Sequence, residues 1–451
     1  MASRRITVTA TGDSFITRRL VRTVPSTVEL SRLISAADVR FTNFEVTAHD
    51  GAGYPAAVSG GTWAMAAPEV IGDLQVLGFN LVSTANNHAL DYSTGGLLAT
   101  DDNLSRAGLA HAGAGANLAA ACAPVFVETE RGRVGMVAAT STFDKSWVAG
   151  DQRPDLQGRP GLNVLHHKVA HKVSSAQLAT LRQILEDTSI NATYDRSVAT
   201  GFVVPVEDPN AVLVGGHLFV DDTDPRPTST ADTKDVARIV RSIERARGEA
   251  DYVLVSLHNH EMLGSDLERP AEFAEKFARD CIDAGADAVI GHGPHILRGI
   301  EIYRGKPIFY SLGNFIFESD SVAHLPADFF AAYGLTHHDD TFQALRERSR
   351  NWTRGFSAQP EIWSSVVAKW TVEDDGAIEI RLHPIDLGHT EPHYRRGEPR
   401  LTGDTTAIEK LQELSAPYGT RIDIEAGVGV IRIGPRDQAP AGERAALRAS
   451  V

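Results

Sequence analysis

Residues 286–318 read ADAVIGHGPHILRGIEIYRGKPIFYSLGNFIFE. The apolar run Ala288-Val289-Ile290 predicts a buried strand, and Gly291-His292-Gly293-Pro294-His295 ends it, because two glycines and a proline force the chain out of regular structure. The two imidazoles therefore stand on a loop at a strand end, where open α/β sheets bind their ligands. A second apolar run, 308–312, ends in the polar turn Gly313-Asn314. We expect His292 and His295 to belong to a metal-centred active site on which earlier polar strand ends converge.

Working outward, the same pattern recurs. The apolar strand 252–257 ends in His258-Asn259-His260-Glu261, and a helix over 270–284 leads back to the quoted stretch. Near the N-terminus, strand 6–11 runs into Gly12-Asp13-Ser14, strand 39–44 ends in Asn43-Phe44-Glu45, and strand 81–84 ends in Ala85-Asn86-Asn87-His88. Helices over 28–37, 68–77 and 93–107 alternate with these strands, which predicts a largely parallel arrangement with the strand ends on one sheet edge. Each residue alone is weak evidence: Gly-Asp is usually a turn, and Asn86-Asn87 could cap the next helix. Recurrence at five strand ends carries the inference. Asp13, Glu45, Asn87, His258 and the His292/His295 pair offer carboxylate, amide and imidazole donors without thiolate. That set suits Mn, Zn, Fe or Ca as a divalent ion rather than copper(I) or an iron–sulfur cluster.

Between these units the pattern loosens. Segments 125–129 and 133–140 read as a hairpin around Arg131-Gly132-Arg133, and a charged helix covers 233–247. Residues 143–230 are too long for a loop and form an insertion. It has a helix over 174–186, candidate strands at 202–204 and 212–214, Trp147, and the cluster His166-His167-Lys168…His171-Lys172. That cluster is either a solvated helix face or a substrate-steering surface. A second insertion, 319–360, carries Phe329, Phe330, Tyr333, Trp352 and several arginines, fit for a lid or a peptide groove. Its His337-His338-Asp339-Asp340 run is either an exposed loop or a second metal site. The expected division is a core in two parts, 1–142 and 231–318, interrupted by 143–230 and followed by 319–360. Residues 361–433 then supply strands and a helix that complete the core, including an antiparallel pair at 362–372 and 377–382. A polar tail, 434–451, is expected to be disordered.

The chain has 451 residues, 42% hydrophobic and 23% charged, and a formal net charge of −14. Such a charge argues against nucleic-acid partners and anionic membranes, which need positive potential. No stretch is apolar and long enough to be a signal peptide core or to span a bilayer, so a cytoplasmic location is expected. Cys122 and Cys281 sit in apolar surroundings and read as buried, inert thiols.

In order, GDSF, TNFE, ANNHALDY, SLHNHE, GHGPHILRGIEIY and FYSLGNFIF resemble the motif series of the CapA family of poly-γ-glutamate capsule-synthesis proteins, which is related to calcineurin-like metallophosphatases. The resemblance covers roughly residues 5–318. It implies a four-layer α/β/β/α sandwich of the metallo-dependent phosphatase type, with metal between the ends of two sheets. It assigns Asp13, Glu45, Asn87, His258 and His292 as metal ligands, places His88 where metallophosphatases keep a proton donor, and leaves His295 as ligand or acid/base. Two motifs depart from the family's usual form. His-Trp-Gly becomes His258-Asn259-His260, and His-His-Pro-His becomes His292-Gly293-Pro294-His295. Capsule proteins of this kind commonly carry a membrane anchor, and none is visible.

One branch that the chain resembles epimerises the C-terminal residue of lasso-type ribosomal precursor peptides, as in siamycin-type pathways. Such a reaction needs a base on one face of Cα, an acid on the other, and stabilisation of an enolate-like intermediate. The expectation is therefore a peptide epimerase with a precursor peptide as substrate, His295 as one base and Asp13 as the other, with His88 and His260 in reserve. No pyridoxal phosphate is expected. The alternatives are a metal-dependent phosphoesterase and a poly-γ-glutamate capsule biosynthesis protein. The oligomeric state is not fixed by the sequence.

Overall fold

The computed structural model describes residues 5–206 and 208–435. Most of the tail expected to be disordered, 436–451, lies outside the described residues. The architecture is mixed α/β with several sheets.

The larger sheet has ten strands. Its main path runs Asp423–Glu425, Val428–Ile433, Ile378–Asp386, Ser364–Val372, Ile6–Phe15, Val39–Phe44, Leu81–Ser83 and Ala110–Ala112. The last four strands are mutually parallel, as the strand–helix alternation predicts, and the C-terminal strands add an antiparallel half. A second, six-stranded sheet runs Leu297–Tyr303, Lys306–Leu312, Ala288–His292, Tyr252–His258, Gly132–Thr140 and Val125–Thr129. The polar strand ends thus come from two sheets, correcting the expectation of one edge. Antiparallel hairpins at 125–140 and 297–312 and an antiparallel C-terminal half split the set that alternation alone would have merged.

Side chains alternate along the strands as a pleat requires. Leu254 and Ile290 share one buried cluster with Val8, Phe41 and Trp370 of the larger sheet. Val253, Val255 and Val289 point the other way, onto Ile239, Ile243, Phe277 and Cys281 of two helices, Thr233–Glu249 and Glu272–Asp283. The outer face of the larger sheet, with Val82 and Val367, packs on Leu30, Ile34 and Leu74 from helices Pro25–Ser35 and Val70–Leu77. Cys122 and Cys281 are buried free thiols.

The two sheets meet at one backbone crossing. Leu312 ends a strand of the second sheet, and Asn314 begins Asn314–Phe317, which pairs with Ile6–Phe15 of the first. Gly313 makes the step at φ 67°. Its carbonyl accepts the Asp13 N–H at 2.9 Å, and a Cβ on Gly12 would stand 1.8 Å from that oxygen. Two facing glycines are what allow this approach.

Segment 143–230 is not uniform. Trp147 is buried with Leu162, Val164, Ala89 and Leu90, so the early part packs on the body. The later part forms its own four-stranded sheet in the order Ala211–Val214, His217–Asp221, His167–Val173, Pro227–Ala231, backed by helix Ser175–Thr188. The 166–172 cluster lies largely on a strand, not a helix face. Residues 202–204 form no strand: Phe202 and Val204 are both 85% exposed. Strand Leu297–Tyr303 is an addition, and Pro270 closes strand Asp266–Pro270 where a helix start was expected. Among the described residues no helix is long and apolar enough to cross a membrane.

Candidate metal centre

Asp13 lies within strand Ile6–Phe15, at an irregularity in its pairing with Val39–Phe44, rather than after the strand. The side chain is fully buried. Its Oδ1 accepts from Asn43 Nδ2 at 2.8 Å, and its Oδ2 accepts from the Gly293 N–H at 2.9 Å. His292 Nδ1 approaches Oδ1 at 3.4 Å, His258 Nδ1 approaches it at 3.9 Å, and His295 Nδ1 reaches Oδ2 at 3.6 Å. Burial opposes ionisation of this carboxyl, but the contact with His292 and the fields of His292 and His295 outweigh it and hold it below the usual range.

The imidazoles come from adjacent parallel strands, with His258 in register with His292. Their Nδ1 atoms are 3.0 Å apart. His292 Nε2 contacts Ser256 Oγ at 2.7 Å, and His258 Nε2 faces His260 Nε2 at 3.0 Å. Burial lowers the pKa of His258 strongly, with the neighbouring imidazoles adding to it, and burial pushes His260 down to about 3. Neutral rings keep a lone pair available to a cation.

Glu45 lies 3.6 Å from His258 Nε2 and 4.0 Å from His295 Nδ1. It is fully buried, and neither carboxylate oxygen has a hydrogen-bond partner. Burial first, then the charge of Asp13 and a side-chain contact with it, and last the charge of Asp91, push its carboxyl well above the normal range. Buried, unsatisfied oxygens facing neutral imidazoles are costly in a protein interior unless a cation meets them. Asn87 adds another: its Oδ1 is buried without a partner while its Nδ2 donates to Gly60 O at 2.9 Å. This donor set fits a divalent metal ion, and three groups of side chains could hold one: Asp13, His258, His292; Glu45, His258, His260; and Asp13, Glu45, His295.

The structure therefore brings together Asp13, Glu45, His258, His260, His292 and His295. His260, expected only as a reserve base, stands within ligand reach. His88 falls outside the three groups. Its Nδ1 donates to Asp91 Oδ2 at 2.7 Å, and Asp91 is fixed by the N–H groups of Gly60 and Ala64. His295 holds a left-handed φ of 63°, uncommon for a residue with a side chain. Asn314 pins it by accepting from His295 Nδ1 at 2.9 Å and donating to its carbonyl at 3.3 Å. Because Asn314 Nδ2 also donates to Ile362 O, its Oδ1 is the acceptor, so the proton of His295 sits on Nδ1 and Nε2 is free.

Sequence reasoning left out Ser256, Asp91 and Arg298. Ser256 and Arg298 carry no signal beyond lying inside quoted or adjacent motifs. Arg298 is wholly buried and donates to Leu267 O, Asn259 O and Oδ1, and His260 O at 3.0–3.3 Å, fixing the loop that bears His258 and His260.

A cavity of about 230 Å³ opens at the centre. His88, His260 and His295 line it together with Phe15, Phe317 and, from the 319–360 segment, Trp352, Phe356, Arg348 and Arg354. Neither arginine makes an ion pair among the described residues. The 337–340 run is an exposed turn, the first of its two readings: Asp339 accepts from Thr336, and Asp340 caps helix Thr341–Arg348 through Gln343 N–H.

Relatives agree with this layout. Residues 7–319 match the bacterial capsule synthesis protein PGA_cap family. The uncharacterized protein y4sH of Sinorhizobium fredii is 38% identical over 95% of this chain and 93% of its own length. The PGA biosynthesis protein CapA of Bacillus subtilis is 45% identical over 76 residues, 17% of this chain and 19% of that one. A probable polyglutamine synthesis accessory protein of Mycobacterium tuberculosis is 30% identical over 56% of this chain and 50% of its own. The family match runs from the strand bearing Asp13 past the turn bearing Asn314, the whole of the candidate centre, and the chain belongs to the PGA_cap family of bacterial capsule synthesis proteins.

Proposed function

We propose that the chain is a metal-dependent enzyme acting on a peptide-like, carboxylate-bearing chain of the poly-γ-glutamate type, in capsule-polymer biosynthesis. Glu45 carries the reading: two buried carboxylate oxygens without a hydrogen-bond partner among the described residues lie beside His258 and His295, and His295 lines a cavity bordered by two arginines that make no ion pair among the described residues. The names of the CapA and polyglutamine synthesis relatives support the substrate class. We read the layers as helices, two facing sheets and helices, a four-layer α/β/β/α sandwich whose sheet ends hold the ion.

Asp13, Glu45, Asn87, His258 and His292 would hold Mn, Zn, Fe or Ca, with His260 able to join them. When bound, the ion polarises a substrate oxygen. Arg348 and Arg354 bind substrate carboxylates as charged, forked donors. His295 accepts a proton at Nε2, because Asn314 occupies its Nδ1 and burial keeps the ring neutral. His88, oriented by Asp91, returns a proton. Phe15, Phe317 and Phe356 form an apolar wall beside these groups.

A second reading is epimerisation of the C-terminal residue of a ribosomal precursor peptide. Two separately oriented imidazoles, His295 and His88, open onto one cavity, which is what proton exchange at a Cα requires. Asp13 is the weaker partner for His295, since both of its oxygens already accept hydrogen bonds.

The test is incubation of the Mn-loaded protein in D₂O with poly-γ-glutamate oligomers and, separately, a heteropeptide with a free C-terminus, followed by mass spectrometry and chiral analysis. Cleavage or transfer at the glutamyl amide, lost in His295→Ala, supports the first reading. One deuterium at a single Cα with a D-residue supports the second. Phosphate release from a generic phosphoester, with both peptides untouched, would sink both readings.

A further inference from the structure

A second cavity, of about 450 Å³, lies on the other side of His260, which lines both. Its walls have a different chemistry. Val169 comes from strand His167–Val173, Met262 and Leu263 follow the His258–His260 loop, and Phe273 opens helix Glu272–Asp283. Val169 and Met262 are 43% and 42% exposed, so apolar surface is left uncovered beside the candidate centre. No lysine or arginine lines this cavity. Its two carboxylates are engaged, Glu272 by Arg226, Thr228 and the Ser229 N–H, and Glu261 by Ser141, Thr142 and Asn259.

The pleat produces this selection. Successive strand residues face opposite ways, so His167, Val169 and His171 line the cavity while Lys168 and Lys172 point away, Lys172 to Asp222. His167 stacks flat on Phe273, centroids 4.4 Å apart at 3°, which further lowers the polarity of the wall. The basic cluster of the sequence is thus split, with its His167 and His171 on the cavity side and its lysines on the other.

We infer that the substrate is an amphipathic peptide-like chain lying across His260. Its carboxylate-bearing end sits in the cavity of Arg348 and Arg354, and an apolar stretch sits against Val169, Met262 and Leu263. This inference rests on the reading of the site as peptide-acting, and it favours the heteropeptide of the second reading over the uniform poly-γ-glutamate chain of the first. A uniform polyanion satisfies the arginine side alone, because carboxylates placed against Val169, Met262 and Leu263 lose hydration where, among the described residues, no lysine or arginine lines the cavity. An apolar stretch there gains from area removed from water.

The test is titration calorimetry of the metal-loaded protein with two unlabelled hexapeptides. One is hexa-γ-glutamate; the other has three leucines followed by three glutamates. The wild-type protein should bind the leucine-bearing peptide at least about tenfold more tightly, since two buried leucines are worth more than one factor of ten. Val169→Asp should erase that preference, and Met262→Asp, at a second exposed position, should do the same. Arg348→Ala with Arg354→Ala should weaken both peptides. Equal wild-type affinities, or a preference that survives both aspartate variants, overturns the inference while the peptide-acting reading stands. Failure of both peptides to bind removes that reading and the inference with it.

Discussion

Arg298 shows what a single side chain does for this centre. A fully buried guanidinium normally needs a carboxylate partner, yet the donors of Arg298 are spent on oxygens of the 259–260 loop and on Leu267 O. Burial pulls its pKa down to about 10, so it stays protonated at neutral pH. A lysine ammonium cannot reach four acceptors from one point. Arg298→Lys should therefore fold but present His258 and His260 loosely, with metal affinity reduced about 10- to 100-fold, the usual effect of losing support behind a ligand. Competition with a fluorescent chelator measures this; unchanged affinity would show that the loop holds itself. The ligand-type residues were legible in the sequence because each closes an apolar run with a polar turn, as Glu45 and His292 do. Arg298 was not, because nothing in LRGIEIY tells an inward arginine from an outward one.

At the scale of elements, legibility followed hydrophobic continuity. Strands Tyr252–His258 and Ala288–His292, buried on both faces, read as apolar runs. Strand Leu297–Tyr303 did not, because buried Arg298 and Glu301 interrupt its pattern. Residues 202–204 misled in the opposite sense, being apolar yet exposed. The join between sheets depends on Gly12 and Gly313. Gly12→Ala would drive a methyl into the Gly313 carbonyl, where both partners are backbone and neither can swing aside. A stability loss of about 1–3 kcal/mol or more is expected from denaturant titration, with metal affinity falling too because Asp13 is the next residue. A second element-scale effect concerns His383 on strand Ile378–Asp386. Burial, helped by Lys369 and Arg381, pushes this imidazole down to about 4. Its folded pKa thus lies below the unfolded value near 6.5, so the unfolded chain binds the extra proton between those limits. The contribution to stability is complete above about pH 6.5 and is lost as pH falls toward 4. Melting temperature should drop across that window, and His383→Gln should flatten that part of the profile. An unaltered profile in the variant would place the acid sensitivity elsewhere.

For the whole molecule, the strand–helix alternation indicated convergence of strand ends but not that two sheets supply them, which only the family resemblance implied, since alternation does not say where one sheet stops. That two-sheet origin has a thermodynamic consequence. Asp13 lies on one strand of the larger sheet and Glu45 follows the next, while His258 and His292 lie on the other sheet, so an ion held by both sets ties the sheets together and contributes to folding. At a free metal concentration one hundred times the dissociation constant, the stabilisation is about 2.7 kcal/mol. The same carboxylates burden the metal-free protein, where Glu45 has no partner for either oxygen and burial makes its ionised form costly. Glu45→Gln removes that cost and also removes a ligand. The two effects predict a reversal of order. In EDTA the variant should melt at or above the temperature of the wild-type protein; with saturating Mn the wild type should melt several degrees higher than the variant. Differential scanning calorimetry of both proteins in both buffers decides it. A wild type that melts higher in EDTA as well would make Glu45 a structural acid stabilised by its imidazole neighbours, and the metal centre would have to be rebuilt around Asp13, His258 and His292 alone.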